Sequence, residues 1–151
     1  MTTIEHDTDW QRHLIMDRQS ISRVIEETRI IAVLGIKIDS DQPAHYVPEY
    51  AQEAGYKIVP VPVYYPDATE ILGEKVYRRI ADIPIDVDMV NVFRRSKDVV
   101  AHVDDIIARR PKSVWLQLGI RSDEAAERLA RAGIDVVQDK CLMVELRNRG
   151  K

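Results

Sequence analysis

The chain has 151 residues, of which 45% are hydrophobic and 31% are charged, and this balance is ordinary for one globular domain and excludes a disordered chain. The formal net charge of −3 argues against the broad basic face that nucleic-acid binding needs, so we predict no nucleic-acid partner. A single cysteine excludes an internal disulfide, and the sequence has neither a long apolar run nor a signal-peptide pattern. These features predict a cytoplasmic protein with no membrane partner.

The N-terminal residues 1–16 are polar and lack a clean period, which predicts a loosely ordered arm or a short helix. Residues 17–28 place their apolar side chains on one face, which is typical of an amphipathic helix. No internal repeat, low-complexity tract or linker divides the rest of the chain. We therefore predict one domain over residues 17–151, preceded by an arm over residues 1–16.

Five short apolar runs follow, and each is typical of a strand that is buried on both faces of a parallel sheet. They cover residues 30–34, 56–61, 87–93, 113–118 and 134–137. Helical patterns separate most of these runs. Repeated alternation of strand and helix predicts an α/β fold, namely a Rossmann-like doubly wound parallel sheet of about five strands.

Serine residues mark the expected starts of two helices. Ser96 is expected to cap a helix that ends near residues 109–111, and Ser122 is expected to cap a second helix with Gly133 after its last turn. The stretch between the second and third strands, residues 62–84, is predicted to be mostly loop, with one helical turn around residues 78–81.

A third helical pattern ends at Gly55 and contains Pro48. A proline beyond the first turn removes a backbone hydrogen bond and clashes with the preceding turn. We therefore predict that this helix begins near His45 and that residues 36–44 form a loop.

Ligands of open parallel sheets bind beyond the carboxyl ends of the strands, where the strand order reverses. That rule indicates the loops 35–44, 62–72, 93–96 and 117–121. Gly35 permits a tight backbone turn beside a phosphate, and Lys37 adds a positive charge. A plain turn between strand and helix would explain Gly35 equally well.

Arg94 and Arg95 follow a predicted buried strand, and guanidinium groups suit phosphate oxygens. A solvated pair that binds Asp98 is the alternative for these two arginines. In the next loop, Gln117 offers an amide and Gly119 permits close approach of the backbone to a ligand. A turn glycine and a solvated amide are the alternatives there.

Neither a dinucleotide fingerprint nor a catalytic or metal site is evident. The first loop lacks the full G-x-G-x-x-G pattern, and no acidic residue follows the second strand to bind a ribose, which counts against NAD. The four histidines have no metal-ligand spacing, so we predict no metal site. Cys141 lies in an apolar stretch, where a thiol is expected to pack and not to react. We predict a binding module without catalytic residues.

The loop sequences resemble those of the small CoA-binding domain proteins, a family related to the CoA-binding N-terminal domain of the succinyl-CoA synthetase alpha subunit. The resemblance covers about residues 25–147. It rests on IAVLG (31–35), GYKIVPV (55–61), ILG (71–73), VFRRS (92–96), VWLQLGI (114–120) and DKC (139–141). The fourth and fifth of these tracts, at their spacing, are the most specific.

The resemblance implies coenzyme A or an acyl-CoA as the ligand, with its phosphates against the Gly35 loop. The nucleotide is expected to extend past Pro62 and along residues 93–95. The cofactor-binding residues expected on this basis are Gly35, Ile36, Lys37, Ser40, Val61, Pro62, Phe93, Arg94, Arg95, Gln117 and Gly119.

Three departures from the family pattern affect this site. Lys37-Ile38 stands where these proteins usually carry Ser-Pro, Ala44 stands for a serine, and Pro62-Val63 stands for Asn-Pro. We predict that Lys37 compensates for the absent serine. A small enzyme that uses NAD or acyl-CoA, and an apo scaffold that acts through protein contacts, remain alternatives. A homo-oligomer or a partner protein also remains open.

Overall fold

The computed structural model describes residues 9–151, so residues 1–8 of the predicted arm lie outside the described part of the chain. The described part of the arm contains a 3₁₀ helix, Trp10–His13, followed by an extended segment. Leu14 pairs in parallel with Val136, and the Ile15 N–H donates to the Val136 carbonyl at 2.9 Å. Ile15 is buried. This segment therefore lies along the last strand of the sheet.

The strands of the described chain are β1 (Ile30–Leu34), β2 (Lys57–Val61), β3 (Glu70–Ile71), β4 (Glu74–Lys75), β5 (Met89–Val92), β6 (Ser113–Leu116) and β7 (Asp135–Val137). Five of them form a parallel central sheet in the order β2-β1-β5-β6-β7. The strands β3 and β4 form a separate antiparallel hairpin. The predicted five-stranded parallel sheet is confirmed.

Helices cover both faces of this sheet. They are α1 (Arg18–Glu26), α2 (Pro43–Glu53), α3 (Val103–Arg109), α4 (Asp123–Arg131) and α5 (Leu142–Asn148). Apolar residues of α1, α2 and α5 form one core with one side of the sheet, and those of α3 and α4 form a second core with the other side. The chain is therefore doubly wound, as the alternation of strand and helix predicts.

Helix α2 begins at Pro43, two residues before the predicted start at His45, and Pro48 lies inside it. Pro43 occupies the first helical turn, where an absent N–H does no harm. Pro48 leaves the Ala44 carbonyl without its usual intrahelical donor. The Lys37 N–H donates to that carbonyl at 3.1 Å, so the helix tolerates the proline and is tied to the loop after β1.

The two serine caps have different outcomes. The Ser122 side chain accepts a hydrogen bond from the Ala125 N–H at 3.2 Å, which confirms it as the cap of α4. Ser96 does not cap a helix, because its hydroxyl accepts from the Arg121 N–H at 3.0 Å. The segment Ser96–His102 forms a 3₁₀ helix, and the α-helix begins only at Val103.

The stretch predicted as loop contains the β3–β4 hairpin and a 3₁₀ helix, Ile80–Asp82. Strands of two residues are too short to show a period in the sequence. Pro60 is tolerated in β2 because β2 is an edge strand, where a proline needs no ladder partner for its nitrogen. The Pro60 carbonyl accepts from the Tyr77 N–H at 3.0 Å, so this segment covers part of the edge.

Candidate functional site

A cleft of about 280 Å³ lies beyond the carboxyl ends of β1 and β5. These strands are neighbours, but the chain leaves β1 towards β2 and leaves β5 towards β6 on the opposite side. The loops therefore diverge at the point where the strand order reverses, which is where such sheets bind ligands. The residues lining the cleft are Gly35, Lys37, Tyr64, Phe93, Arg94 and Arg95.

Gly35 forms the floor of the cleft and has no room for a side chain. Its φ is +88°, and a Cβ built on it would lie 2.3 Å from the Phe93 carbonyl oxygen. The Gly35 N–H donates to the Val61 carbonyl at 2.8 Å, and the Phe93 N–H donates to the Leu34 carbonyl at 2.9 Å. The backbones after β1 and β5 thus approach each other so closely that only glycine fits at position 35.

The loop after Gly35 is fixed through its backbone. Besides the bond from the Lys37 N–H to α2, the Lys37 carbonyl accepts from His45 Nδ1 at 2.8 Å, so Nδ1 of this ring carries a proton. The Ile38 N–H donates to the Tyr65 hydroxyl at 3.2 Å. The Lys37 side chain is half-buried, lines the cleft, and makes no ion pair with any residue among 9–151.

The two arginines share one carboxylate. Arg95 Nε donates to Asp98 Oδ2 at 2.9 Å, and Arg94 Nη2 lies 3.8 Å from the same oxygen. The hydrogen bond from Arg95 lowers the pKa of Asp98, so this carboxylate stays ionised. Arg94 is only 17% exposed, whereas Arg95 is 73% exposed. Together with Lys37, the arginines give the cleft more positive charge than Asp98 cancels, which favours an anionic ligand.

Arg94 also makes a hydrogen bond to a histidine that does not line the cleft. Its Nε donates to His102 Nε2 at 3.3 Å, which requires that this nitrogen carry no proton. Burial lowers the pKa of His102, and the charge of Arg94 lowers it further, against the opposing effects of Asp105 and Asp98. The neutral imidazole that Arg94 needs is therefore the form that the fold favours.

This arrangement predicts a pH-dependent stability. Because the folded pKa of His102 lies below its ordinary value of 6.5, the unfolded chain takes up a proton first as the pH falls. The contribution of neutral His102 to the free energy of unfolding is fully present above pH 6.5. It is lost as the pH falls from 6.5 through the lowered pKa. Urea unfolding of the wild type and of His102→Gln measures it, since glutamine offers Arg94 an acceptor and does not titrate. The wild type should lose more stability on acidification, and identical pH profiles would contradict the assignment.

The predicted residues outside the cleft lining have other surroundings. Gln117 is buried, and its Oε1 accepts from Asn91 Nδ2 and from the Leu142 N–H, each at 3.3 Å. The Gly119 N–H donates to Asp139 Oδ1 at 2.7 Å. Neither Gln117 nor Gly119 is among the residues that line the cleft.

The remaining predicted residues divide into buried and exposed positions. Ile36, Val61 and Pro62 are buried, and Ser40 is exposed on the loop before α2. The structure thus brings Gly35, Lys37, Phe93, Arg94 and Arg95 together, and it adds Tyr64, which sequence reasoning missed. The only signal for Tyr64 is that two tyrosines stand side by side in the loop after β2.

Cys141 is half-buried and packs against the core that contains Trp115. Among the residues that the structure describes, no three His, Cys, Asp or Glu side chains are placed to hold a metal ion. Across residues 9–151, no helix combines the length and the apolar character that crossing a membrane requires.

The sequence and the fold are similar to those of known proteins. The sequence model of a family described as "CoA binding domain" matches residues 29–147. A protein of Bacillus subtilis (strain 168), described as "Uncharacterized protein YneT", is 32% identical over 127 residues, which cover 84% of this chain and 92% of that protein.

Two solved structures are also similar. A Thermus thermophilus structure, "cell-free ID.343", is 40% identical with a TM-score of 0.81, and the match covers 88% of this chain and 98% of that one. The apo form of "Ca. Korarchaeum cryptofilum dinucleotide forming Acetyl-coenzyme A synthetase 1" is 26% identical with a TM-score of 0.59. That match covers 71% of this chain but 25% of the synthetase, so the likeness concerns one part of a larger enzyme.

Proposed function

The chain belongs to the CoA binding domain family, and from this premise we propose that the cleft holds coenzyme A or an acyl-CoA and acts as a binding module without catalysis of its own. The observation that carries the proposal is the convergence of Lys37, Arg94 and Arg95 on the tight backbone approach at Gly35. That combination suits phosphate groups, which need positive charge and close approach of the backbone.

The residues present fit the phosphate-bearing part of coenzyme A. Gly35 leaves open the space that a Cβ would fill, and the Arg94 and Arg95 forks provide planar donors for phosphate oxygens. Lys37, which also lines the cleft, would add a point charge. The cleft, at about 280 Å³, lies just below the range of roughly 300–1,000 Å³ for ligand sites. It therefore suits the phosphates and a neighbouring group better than the whole cofactor.

The lining of the cleft supports binding in preference to catalysis. The six lining residues include no carboxylate, imidazole or thiol, whereas acyl transfer needs a positioned nucleophile or an acid–base pair. His102 contacts Arg94 and is not among the lining residues. When bound, coenzyme A would supply a thiol that carries acyl groups, and the protein residues would hold and orient it.

A calorimetric titration with coenzyme A and, in parallel, with NAD tests the proposal. We expect coenzyme A to bind, and we expect NAD to bind weakly or not at all because β2 is followed by Pro62 and Val63 and not by an acidic residue that binds ribose. The affinity for coenzyme A should fall as salt is added, since part of the attraction is between charges. Absence of coenzyme A binding, or a preference for NAD, would contradict the proposal.

Lys37 should contribute directly to this affinity. Replacing it by alanine removes an ammonium group that lines the cleft and has no ion-pair partner among residues 9–151, so coenzyme A should bind roughly tenfold more weakly. Lys57→Ala is the matched control, because Lys57 lies at the other end of its strand and pairs with Glu74 at 3.1 Å. Equal effects of the two substitutions would show that Lys37 is merely solvated.

A further inference from the structure

The cleft is lined by aromatic as well as cationic side chains. Tyr64 and Phe93 both line it, and Tyr64 is 58% exposed, which is unusual for a large aromatic side chain. Its hydroxyl makes no hydrogen bond to any residue in the described part of the chain, so the ring is not committed to a partner within the protein.

The backbone that carries Tyr64 is nevertheless held in place. The Arg78 guanidinium donates from Nη1 to the Tyr64 carbonyl at 3.1 Å, and from Nη2 to the Tyr65 carbonyl and to the Ala68 carbonyl, the latter at 3.0 Å. One arginine therefore gathers three carbonyls of the loop after β2. The exposed ring projects from a fixed segment.

A second contact joins this segment to the other side of the cleft. Tyr65 has a φ of +60°, and its hydroxyl accepts from the Ile38 N–H at 3.2 Å. Tyr65 thus bridges the loop after β2 and the loop that carries Lys37. The segments that carry Tyr64 and Lys37 are therefore linked before any ligand arrives, which reduces the entropy lost on binding.

Aromatic faces and nucleobases stack well, and the geometry tolerates any base because every base has a π face. A phosphate site and an uncommitted aromatic ring in one cleft therefore match the two chemical parts of a nucleotide. We propose that Tyr64 stacks on the adenine ring of coenzyme A. The inference rests on the proposed function and extends it, because it assigns recognition of the base to a residue outside the phosphate site.

Calorimetric titration of coenzyme A into the full chain tests the stacking contact with three substitutions. Tyr64→Ala and Tyr64→Leu should each weaken binding roughly tenfold, the leucine because it is apolar but offers no π face. Tyr64→Phe should keep the wild-type affinity. Val63→Ala is the control, since Val63 is an exposed neighbour in the same loop that does not line the cleft. The wild type should also reduce the absorbance of bound adenine, and Tyr64→Leu should not.

A fragment separates stacking from other roles of Tyr64. The molecule 4′-phosphopantetheine lacks the adenine, so its competition with coenzyme A should show the same fragment affinity for the wild type and for Tyr64→Ala. Wild-type affinity of Tyr64→Leu for coenzyme A, or an equal loss for the fragment, would overturn the stacking assignment and leave the proposed function standing. Failure of the wild type to bind coenzyme A would overturn both.

Discussion

Replacing Gly35 by alanine is expected to lower the free energy of unfolding by roughly 4 kcal/mol and to abolish binding of coenzyme A. The new Cβ would lie 2.3 Å from the Phe93 carbonyl oxygen and 3.1 Å from its carbon. Both are backbone atoms, so no flexible side chain can move aside.

Two physical terms contribute to that effect. A residue with a Cβ is strained at a φ of +88°, which costs roughly 1–3 kcal/mol. Moving the backbone after β5 away from Gly35 adds about 1–3 kcal/mol, as overpacking does elsewhere. The same movement would displace Arg94, whose Cδ lies 3.3 Å from the position of the new Cβ.

Gly133→Ala is the matched control for this substitution. Gly133 has a φ of +83°, but nothing lies within 4 Å of a Cβ built on it. Only the strain of the left-handed backbone applies there, which is roughly 1–3 kcal/mol as at Gly35. Urea unfolding measures both variants, and equal losses for Gly35→Ala and Gly133→Ala would show that the close approach to Phe93 contributes nothing.

The strands were predictable because burial on both faces demands unbroken apolar runs, and β1 was found with the bounds that its run indicates. Pro48 misled the placement of α2 because the cost of a proline depends on whether another donor reaches the freed carbonyl. That donor is the N–H of Lys37, and a contact between a loop and a helix leaves no local sequence pattern. Tertiary hydrogen bonds of this kind set helix boundaries that periodicity cannot.

The cleft could be predicted in part for a similar reason. Gly35 and the two arginines were indicated because they lie just after the ends of β1 and β5, and the sheet rule places strand ends together. Tyr64 was missed because hydrogen bonds from Arg78 to the backbone hold its loop, and contacts within a loop leave no periodic pattern in the sequence. Site residues that follow a strand of the sheet can be predicted from the sequence, whereas those that lie within a loop can be identified only from the structure.

The second large effect concerns the two arginines. The double substitution Arg94→Ala and Arg95→Ala should weaken coenzyme A binding by about 3 kcal/mol, on the order of 100-fold, because each guanidinium can make charge-assisted hydrogen bonds to phosphate. Calorimetry at several salt concentrations measures it. The affinity of the double variant should depend less on salt than that of the wild type, since fewer charges take part.

Substitution of Asp98 is expected to change the affinity for coenzyme A in the opposite direction. Because Asp98 binds Arg95 at 2.9 Å and lies 3.8 Å from Arg94, an incoming phosphate competes with it for both arginines. Asp98→Asn keeps a hydrogen-bond acceptor of nearly the same shape and removes the charge. Coenzyme A should therefore bind more tightly to this variant, and weaker binding would show that Asp98 positions the arginines more than it competes for them.

A control for total charge completes the test of the arginines. Lys112→Ala with Arg128→Ala removes two positive charges from exposed positions outside the cleft, and so changes the net charge by the same amount. If local contacts dominate, this control should bind coenzyme A nearly as well as the wild type, because exposed charges beyond a Debye length of about 10 Å are largely screened. Equal losses in the two double variants would mean that only the overall charge attracts the ligand, and the arginines would then have no direct part in the site.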